Sequence, residues 1–236
     1  MSPQPNISSV AALMADPARA TMLMILSERL ALPAGELARA AGITAQTAST
    51  HLAKLVAGGL LCCEQQGRHR YYRLGGPQVA HAIEHLAAIS PIAAAVSATP
   101  SPEGRSLRFA RCCYDHLAGQ VAIAVTRALQ RQRYIRATVD DRYEVSAAGT
   151  VWFSTLGLDL TALKPTRHGL ARQCLDWTEH QHHLAGPLGA GLMEQLCTKG
   201  WLRRSRSSRA VQVTPQGWIG LKRQLGVDRE AVALVV

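Results

Sequence analysis

The sequence lacks several features that would assign the protein to a particular class. Aromatic residues make up only 5% of the 236 residues. No apolar run approaches the ~18 residues of a membrane-spanning helix, and the N-terminal segment lacks the basic and apolar regions of a secretory signal peptide. We therefore expect no membrane partner and a cytoplasmic location. A glycine-rich phosphate loop, a nucleophile elbow and an HExxH motif are also absent, which argues against an enzyme.

The cysteines do not form a recognisable disulfide or zinc-ribbon pattern. There are six of them, arranged as two adjacent pairs and two single residues, and no CxxC motif occurs. In a cytoplasmic protein we expect most of these thiols to be reduced.

Positive charge is in excess. The chain has 26 Lys plus Arg against 16 Asp plus Glu, a formal net charge of +10. Residues 1–98 contribute 7 − 5 = +2 and residues 99–236 contribute 19 − 11 = +8. A basic balance of this size favours an anionic partner such as nucleic acid.

The composition changes between residues 97 and 106, where two prolines, one glycine and three serines interrupt the apolar pattern. Such a stretch is typical of a linker. We predict a first domain over 1–96, a linker over 97–106 and a second domain over 107–236.

The first domain has the pattern of a winged helix-turn-helix. Asp16 followed by Pro17 predicts a helix start, and a short helix over 33–41 ends before Gly42. Thr44 caps a third helix that runs to about Val56. Two β-prone segments around a polar turn at 65–68 predict a basic-tipped hairpin, and a last helix covers about 77–89.

Three segments of this domain, which lie at 15–19, 35–61 and 67–74, match a known family in sequence and in order. On these segments the chain resembles the ArsR-type winged-helix repressors over about residues 8–90. The resemblance implies a homodimeric, cytoplasmic bacterial transcription regulator that leaves its operator when an effector binds. Residues 99–236 lie outside the minimal family pattern.

The third helix and the hairpin carry the candidate DNA contacts. Short polar side chains on a recognition helix can reach base edges, and cations on a wing can meet phosphates or the minor groove. His51 lies at the edge of the apolar face, so a packing role is as well supported for it as a DNA contact. The full set is Gln46, Thr47, Ser49, Thr50, His51, Lys54, Arg68, His69 and Arg70.

The metal-sensing patterns of the resembled family are incomplete in this domain. Residues 32–36 contain no cysteine. His81, Glu84 and His85 have a spacing that places donors on one helix face, but a second pair of ligands is missing. We interpret them as an exposed polar face.

The second domain contains an internal repeat. The sequence His-Leu-Ala-Gly occurs at 116–119 and again at 183–186, and the similarity extends over about 113–160 and 180–229. We predict two degenerate winged-helix-like repeats that pack as halves of one domain. The whole protein is then mainly α with small β-hairpins, in the α+β class.

The second domain also holds the candidate effector residues. Thiolate with imidazole suits a metal or haem iron, so either is a candidate cofactor, while tryptophans can line a pocket for an apolar ligand. Simple burial of cysteine and helix packing by the His-Leu-Ala-Gly motif are the competing interpretation, and we favour it. The candidates are Cys112, Cys113, His116, Cys174, Trp177 and His183.

Taken together, the sequence predicts a sequence-specific DNA-binding regulator rather than an enzyme. We expect a homodimeric repressor that binds a near-palindromic site in double-stranded DNA and is released by a small-molecule, metal or redox effector. The alternatives are an effector-independent architectural DNA-binding protein and a thiol-dependent enzyme fused to a winged helix.

Overall fold

The computed structural model describes residues 6–90 and 102–235. Its contacts divide the chain into two compact units, a first unit up to Ile83 and a second unit from Glu84 onward. The division falls within helix α5.

The first unit is a winged helix-turn-helix, as predicted. Strands β1, β3 and β2 form, in that order, an antiparallel sheet beside the helices. The elements are α1 (Ile7–Met14), α2 (Pro17–Glu28), β1 (Leu32–Pro33), α3 (Ala34–Ala40), α4 (Ala45–Ala57), β2 (Leu61–Gln66), β3 (His69–Leu74) and α5 (Pro77–Ile89), which continues into the second unit.

Local sequence signals fix the helix starts of this unit. Asp16 accepts a hydrogen bond from the Arg19 amide at 2.9 Å, and Thr44 accepts one from the Thr47 amide at 3.2 Å. These are N-cap bonds, which satisfy amides that have no partner within the helix. One face of each of three helices then closes the core with fully buried side chains, among them Met22, Leu37, Leu52 and Leu55.

The wing turn is tighter than predicted. Strand β2 extends to Gln66 and β3 begins at His69, so the loop consists of residues 67 and 68 rather than 65–68. Gly67 adopts a positive φ of 61°. Two-residue hairpin loops favour glycine because they require a positive φ.

The predicted linker is partly helical. Residues 97–101 lie outside the described residues, whereas residues 102–106 begin helix α6 (Pro102–Phe109). Proline is favoured at the first position of a helix, and the acidic Glu103 in the first turn complements the helix dipole. The proline that indicated a linker is thus a helix start.

The second unit consists of short antiparallel hairpins alternating with helices. Its elements after α6 are β4 (Arg111–Cys113), β5 (His116–Ala118), α7 (Gln120–Arg131), β6 (Ile135–Ala137), β7 (Tyr143–Val145), α8 (Ala147–Leu156), a 3₁₀ turn (Leu160–Ala162), β8 (Arg172–Leu175), β9 (His182–Ala185), α9 (Gly186–Thr198), β10 (Leu202–Arg204), β11 (Val211–Val213), α10 (Pro215–Leu225) and α11 (Arg229–Ala233). Helices α7 and α9 share one core with Phe153 and Leu225.

The two halves of this unit have the same order of elements, namely hairpin, helix, hairpin and helix. Equivalent glycines mark both second helices. A Cβ atom on Gly149 would lie 2.1 Å from the Tyr134 carbonyl oxygen, and one on Gly217 would lie 2.1 Å from that of Trp201. That each half is a degenerate winged helix stays a prediction.

No single helix within the described ranges is long and apolar enough to cross a membrane. Helices α1 and α2 reach the necessary length and composition only as a pair, and that pair is bent by 89°.

Candidate nucleic-acid interface and a buried cysteine and histidine cluster

Helix α4 separates a buried face from an exposed polar face. Ala48, Leu52 and Leu55 lie in the core. The predicted base-reading residues and Lys54 are exposed on the other side.

The exposed side chains of α4 differ in how free they are to bind a partner. The Ser49 hydroxyl donates to the Ala45 carbonyl at 3.0 Å, and the Thr50 hydroxyl donates to the Gln46 carbonyl at 3.4 Å. The Thr47 hydroxyl lies 2.9 Å from that of Thr44. Within the described part of the chain the Gln46 amide group makes no hydrogen bond, so its donor and acceptor both remain available.

His51 is tied into the packing between helices. Its Nδ1 lies 3.3 Å from Arg19 Nη1 and 3.7 Å from Asp16 Oδ1. Arg19 also donates to the Leu13 carbonyl at 2.6 Å, which connects α1 to the same group. These contacts favour the packing role over the DNA contact that the sequence left open.

The wing presents cations at its tip. Arg68, His69 and Arg70 are all exposed around the two-residue loop. Farther along the same strand, Arg73 lies 2.7 Å from a carboxylate oxygen of Glu64, so its charge is already offset. The uncompensated positive charge of the wing is therefore concentrated at the tip.

The second unit brings four of the predicted effector residues together. In hairpin β4–β5 Cys113 pairs with His116, and in hairpin β8–β9 Cys174 pairs with His183. One ligand atom from each of these four residues lies within 4.8 Å of the other three. Their exposed fractions are 2%, 1%, 4% and 1%, so the cluster is sealed from solvent.

Each imidazole of the cluster has a carboxylate on the side of its Nδ1 atom. The Nε2 atoms of His116 and His183 face each other at 3.1 Å. On the opposite side of the rings, His116 Nδ1 lies 2.9 Å from Asp115 Oδ1, and His183 Nδ1 lies 3.6 Å from Asp176 Oδ2. Each ring therefore presents Nε2 to the cluster and Nδ1 to an acid.

The neighbouring buried acids are each paired with an arginine. Asp176 accepts a hydrogen bond from Arg111 at 2.9 Å and another from the Gly119 amide at 2.7 Å. Glu84, the first residue of the second unit, accepts from Arg209 at 2.8 Å and from the Cys113 thiol at 2.6 Å. Burial alone would raise the pKa of both carboxyl groups, but the arginines hold these pKa values below the usual range.

The titration of the cluster reflects its burial and crowding. The hydrogen bond with Cys174, followed by burial, raises the pKa of the Cys113 thiol. Burial lowers the pKa of His183. Burial also acts to lower the pKa of His116, but Cys113 and Asp115 outweigh it and raise that pKa to about 9.

Two predicted effector residues lie outside the cluster. The Cys112 thiol donates to the Tyr114 carbonyl at 3.2 Å and packs into the main core of the unit, where burial raises its pKa to about 11. Trp177 is half-buried, and the Arg111 guanidinium lies over its indole ring, with Arg111 Cζ 5.1 Å from the centre of that ring.

Trp152 and Trp201 do not line the aromatic pocket considered from the sequence. Trp152 stacks on Tyr134 with ring centres 5.2 Å apart, and both Trp152 and Trp201 fill the core. The interpretation of His81, Glu84 and His85 as an exposed polar face is wrong for Glu84, which is buried at 4% exposure because it pairs with Arg209.

The comparisons with known proteins agree with the fold of the first unit. A helix-turn-helix domain family matches residues 14–63, which run from the end of α1 into β2. Over 223 residues the chain is 42% identical to the protein named "Uncharacterized HTH-type transcriptional regulator YdfF" of Bacillus subtilis (strain 168), covering 94% of this chain and 98% of that protein. The chain belongs to the HTH-type transcriptional regulators.

Solved structures share similarity over about a third of the chain. Reduced HlyU from Vibrio cholerae N16961 is 28% identical over 34% of this chain and 83% of its own, with a TM-score of 0.31. The winged helix-turn-helix fragment of Mb0332 from Mycobacterium bovis is 28% identical over 36% of this chain and 86% of its own, also with a TM-score of 0.31.

The family assignment confirms the prediction of a DNA-binding transcription regulator with an N-terminal winged helix-turn-helix. The Bacillus relative is named as a regulator, which supports a non-enzymatic role. Its match also extends through the second unit, because it covers 94% of this chain.

Proposed function

We propose that this regulator is a cytoplasmic, ArsR-type homodimer that represses transcription from a near-palindromic operator and leaves it when an effector binds. The observation that carries the proposal is the two-sided helix α4. Its apolar side closes the core, while its polar side is exposed in the same unit as a cationic wing.

Base recognition is assigned first to Gln46. A glutamine side chain can make a bidentate contact with adenine in the major groove. Its amide is available, whereas the hydroxyls of Ser49 and Thr50 are already bonded to their own helix and can exchange that bond for a base edge.

Phosphate binding is assigned to the wing tip and to Lys54. Exposed cations without a nearby acid release counterions from DNA and bind all sequences alike. Arg68 and Arg70 meet this description, and Arg73 does not, because Glu64 lies beside it.

The dimer is assigned in part to α1. This apolar helix has no buried residue, and Ile7 is 76% exposed. Two recognition helices can read successive major grooves only when a two-fold dimer holds them about one helical turn, ~34 Å, apart. Sedimentation should show a dimer at micromolar concentration, and a monomer with a footprint over one half-site would contradict this part of the proposal.

DNA binding is tested with three variants. We expect Gln46→Ala to weaken operator binding by about 1–3 kcal/mol and to relax base preference at one position, because it removes a base contact. Arg68→Ala should weaken binding to all sequences and reduce the salt dependence, because it removes a phosphate contact. Both effects are measured by fluorescence anisotropy on operator and scrambled DNA over a series of salt concentrations.

Arg73→Ala is the matched control. It removes the same charge from the same hairpin, but at a position where Glu64 already offsets it. We expect its binding to remain close to that of the unsubstituted protein. If Arg73→Ala and Arg68→Ala weaken binding equally, or if Gln46→Ala leaves base preference unchanged, the assigned roles are wrong.

Signal reception is assigned to the second unit, which contains four of the six cysteines and every tryptophan. A chain ended at residue 90 should still repress an operator-driven reporter but no longer respond when cells are exposed to metals, thiol oxidants or small molecules. A normal response from the shortened chain would move the sensor to the first unit.

A further inference from the structure

We propose that Cys113, His116, Cys174 and His183 bind one Zn²⁺ ion in a closed, tetrahedral site inside the second unit. This inference concerns metal binding alone and does not depend on the proposed operator recognition. It rests on the convergence of four buried donor atoms from two separate hairpins.

The spacing of the donors fits a tetrahedral ion. Zinc binds thiolate sulfur at about 2.3 Å and imidazole nitrogen at about 2.0–2.1 Å, so the edges of a tetrahedral S₂N₂ site measure about 3.3–3.8 Å. The two Nε2 atoms are 3.1 Å apart, and the four chosen donor atoms all lie within 4.8 Å of one another. Shifts of less than about 1 Å would therefore complete the site.

The environment of each histidine is that of a metal ligand. A ligating imidazole usually directs its other ring nitrogen to a carboxylate, which fixes the tautomer and strengthens the donor. Asp115 faces His116 Nδ1 and Asp176 faces His183 Nδ1, so both Nε2 atoms are left toward the centre of the cluster. Among residues 6–90 and 102–235, His183 Nδ1 has no hydrogen-bond partner, so a small approach to Asp176 would satisfy it.

The charge balance favours a dication. The buried acids next to the cluster are already neutralised, Asp176 by Arg111 and Glu84 by Arg209. Zinc binding would release the thiol protons of Cys113 and Cys174 to solvent and end the hydrogen bond from Cys113 to Glu84. The two thiolates would then carry a charge of −2 in a sealed interior, which is unfavourable without a counter-ion. One divalent cation makes the site neutral.

The donor set also identifies the kind of metal. Thiolate and imidazole ligands in tetrahedral geometry select zinc over the oxygen-seeking Mg²⁺ and Ca²⁺. A haem iron takes axial ligands from the two sides of a flat macrocycle, whereas here four donors converge on one point. With four protein ligands and no opening to solvent, the site has the form of a structural site.

The site would connect parts of the chain that are far apart in sequence. Cys113 and His116 come from hairpin β4–β5, and Cys174 and His183 come from hairpin β8–β9. These hairpins occupy matching places in the two halves of the second unit. A bound ion would join the two halves through these hairpins, beside the main core of the unit.

The test is the metal content of the full chain, purified under reducing conditions without chelators. We expect one zinc per chain by mass spectrometry of the metal. Cys174→Ser and His183→Gln should each lower the occupancy at least tenfold after brief dialysis against a weak chelator. Cys112→Ser is the matched control because Cys112 is also buried, at 7% exposure, but its thiol donates to the Tyr114 carbonyl and is not one of the four donors. This variant should retain its zinc.

A second measurement needs no variant and therefore holds if a substituted chain fails to fold. Co²⁺ exchanged into the unsubstituted protein should show the visible bands of a tetrahedral ion together with thiolate charge-transfer absorption. X-ray absorption of the zinc protein should report two sulfur and two nitrogen neighbours.

Three results would overturn the proposal. The first is protein that takes up neither zinc nor cobalt. The second is equal metal loss in Cys112→Ser and Cys174→Ser. The third is a Cys113–Cys174 disulfide in place of bound metal, which would identify the cluster as a redox pair. Metal content is measured without DNA, so its failure is distinguishable from a failure of operator binding.

Discussion

The ion pair between Arg111 and Asp176 gives a direct test of how the second unit is held together. Both side chains are almost completely buried, at 3% and 0% exposure, and Arg111 Nη2 lies 2.9 Å from Asp176 Oδ1. The carboxylate also accepts hydrogen bonds from the Gly119 amide at 2.7 Å and the Thr178 hydroxyl at 2.7 Å. Asp176 thereby joins β4, the start of α7 and the segment between β8 and β9.

Removing Asp176 and removing Arg111 should lower the free energy of unfolding by different amounts. Asp176→Ala leaves a buried guanidinium without a counter-ion, which typically lowers the free energy of unfolding by about 3–5 kcal/mol. Arg111→Met leaves a carboxylate that still has the Gly119 and Thr178 donors, so we expect a smaller loss of about 1–3 kcal/mol. The double variant should lose about 1–3 kcal/mol less than the sum of the two single variants, because no charge is left unpaired.

Tryptophan fluorescence during urea unfolding measures this effect in the right unit. All four tryptophans (152, 177, 201 and 218) lie in the second unit, so the signal does not report on the first. With a denaturant slope of about 2 kcal/mol/M, Asp176→Ala should lower the urea midpoint by about 1.5–2.5 M. The metal content of each variant is recorded alongside, since Asp176 also faces His183.

The control is the exposed pair between Arg136 and Glu144 in the β6–β7 hairpin. Arg136→Met should change the free energy of unfolding by less than about 1 kcal/mol, because solvent screens exposed ion pairs. The reasoning is refuted if this variant and Asp176→Ala shift the midpoint equally, or if the losses from Arg111→Met and Asp176→Ala simply add.

Three further predictions concern single positions. Gly217→Ala should destabilise the second unit by about 1–3 kcal/mol, because its Cβ would lie 2.1 Å from the Trp201 carbonyl oxygen; denaturant unfolding by fluorescence checks this. Gly35→Ala should instead stabilise the first unit by about 0.5–1 kcal/mol in thermal unfolding by circular dichroism, because a Cβ there meets nothing within 4 Å and the site is helical. Brief alkylation of the folded protein should modify the exposed Cys63 well before the buried Cys112, as mass spectrometry of peptides can show, and equal rates would contradict the burial described.

The helix-turn-helix was predictable because its determinants are local. The N-cap residues Asp16 and Thr44 bond to amides three positions later, so a short stretch of sequence contains both partners. Helix α4 was predicted from Thr44 to about Val56 and is observed over Ala45–Ala57. Ala48, Leu52 and Leu55 recur at helical spacing and are buried, whereas Val56, at the end of the helix, is exposed.

The bounds of the wing turn and the start of α6 were not predicted, because two interpretations of the same residues compete. Gln65 is polar and was assigned to the turn, yet it pairs with Arg70 across the hairpin. The pairing of β2 with β3 continues through these residues, because polar side chains on an exposed hairpin lose little solvation when the two backbones pair. Proline disrupts a helix at interior positions but is favoured at the first position. Pro102 occupies the first position of α6.

The cysteine and histidine cluster could be only half predicted. The repeat places His116 and His183 in equivalent positions, 67 residues apart, but the same offset from Cys113 leads to His180 rather than to Cys174. The two hairpins have loops of different length between the paired cysteine and histidine. Strand register restores the equivalence, because Cys113 lies opposite His116 just as Cys174 lies opposite His183.

The two candidate sites therefore depend on different levels of the structure. The recognition residues from Gln46 to Lys54 occupy one helix, so helical geometry alone arranges them, and a change in the core moves them only if α4 itself moves. The cluster depends on how two hairpins pack against α9. At Gly189 a Cβ would lie 2.6 Å from the Leu184 carbonyl oxygen and 3.3 Å from the Cβ of His116, so even this glycine in α9 determines how closely the two strands with the histidines approach. Because an added methyl group there would displace backbone on one side and a cluster residue on the other, the packing of the second unit and the geometry of its four donors cannot vary independently.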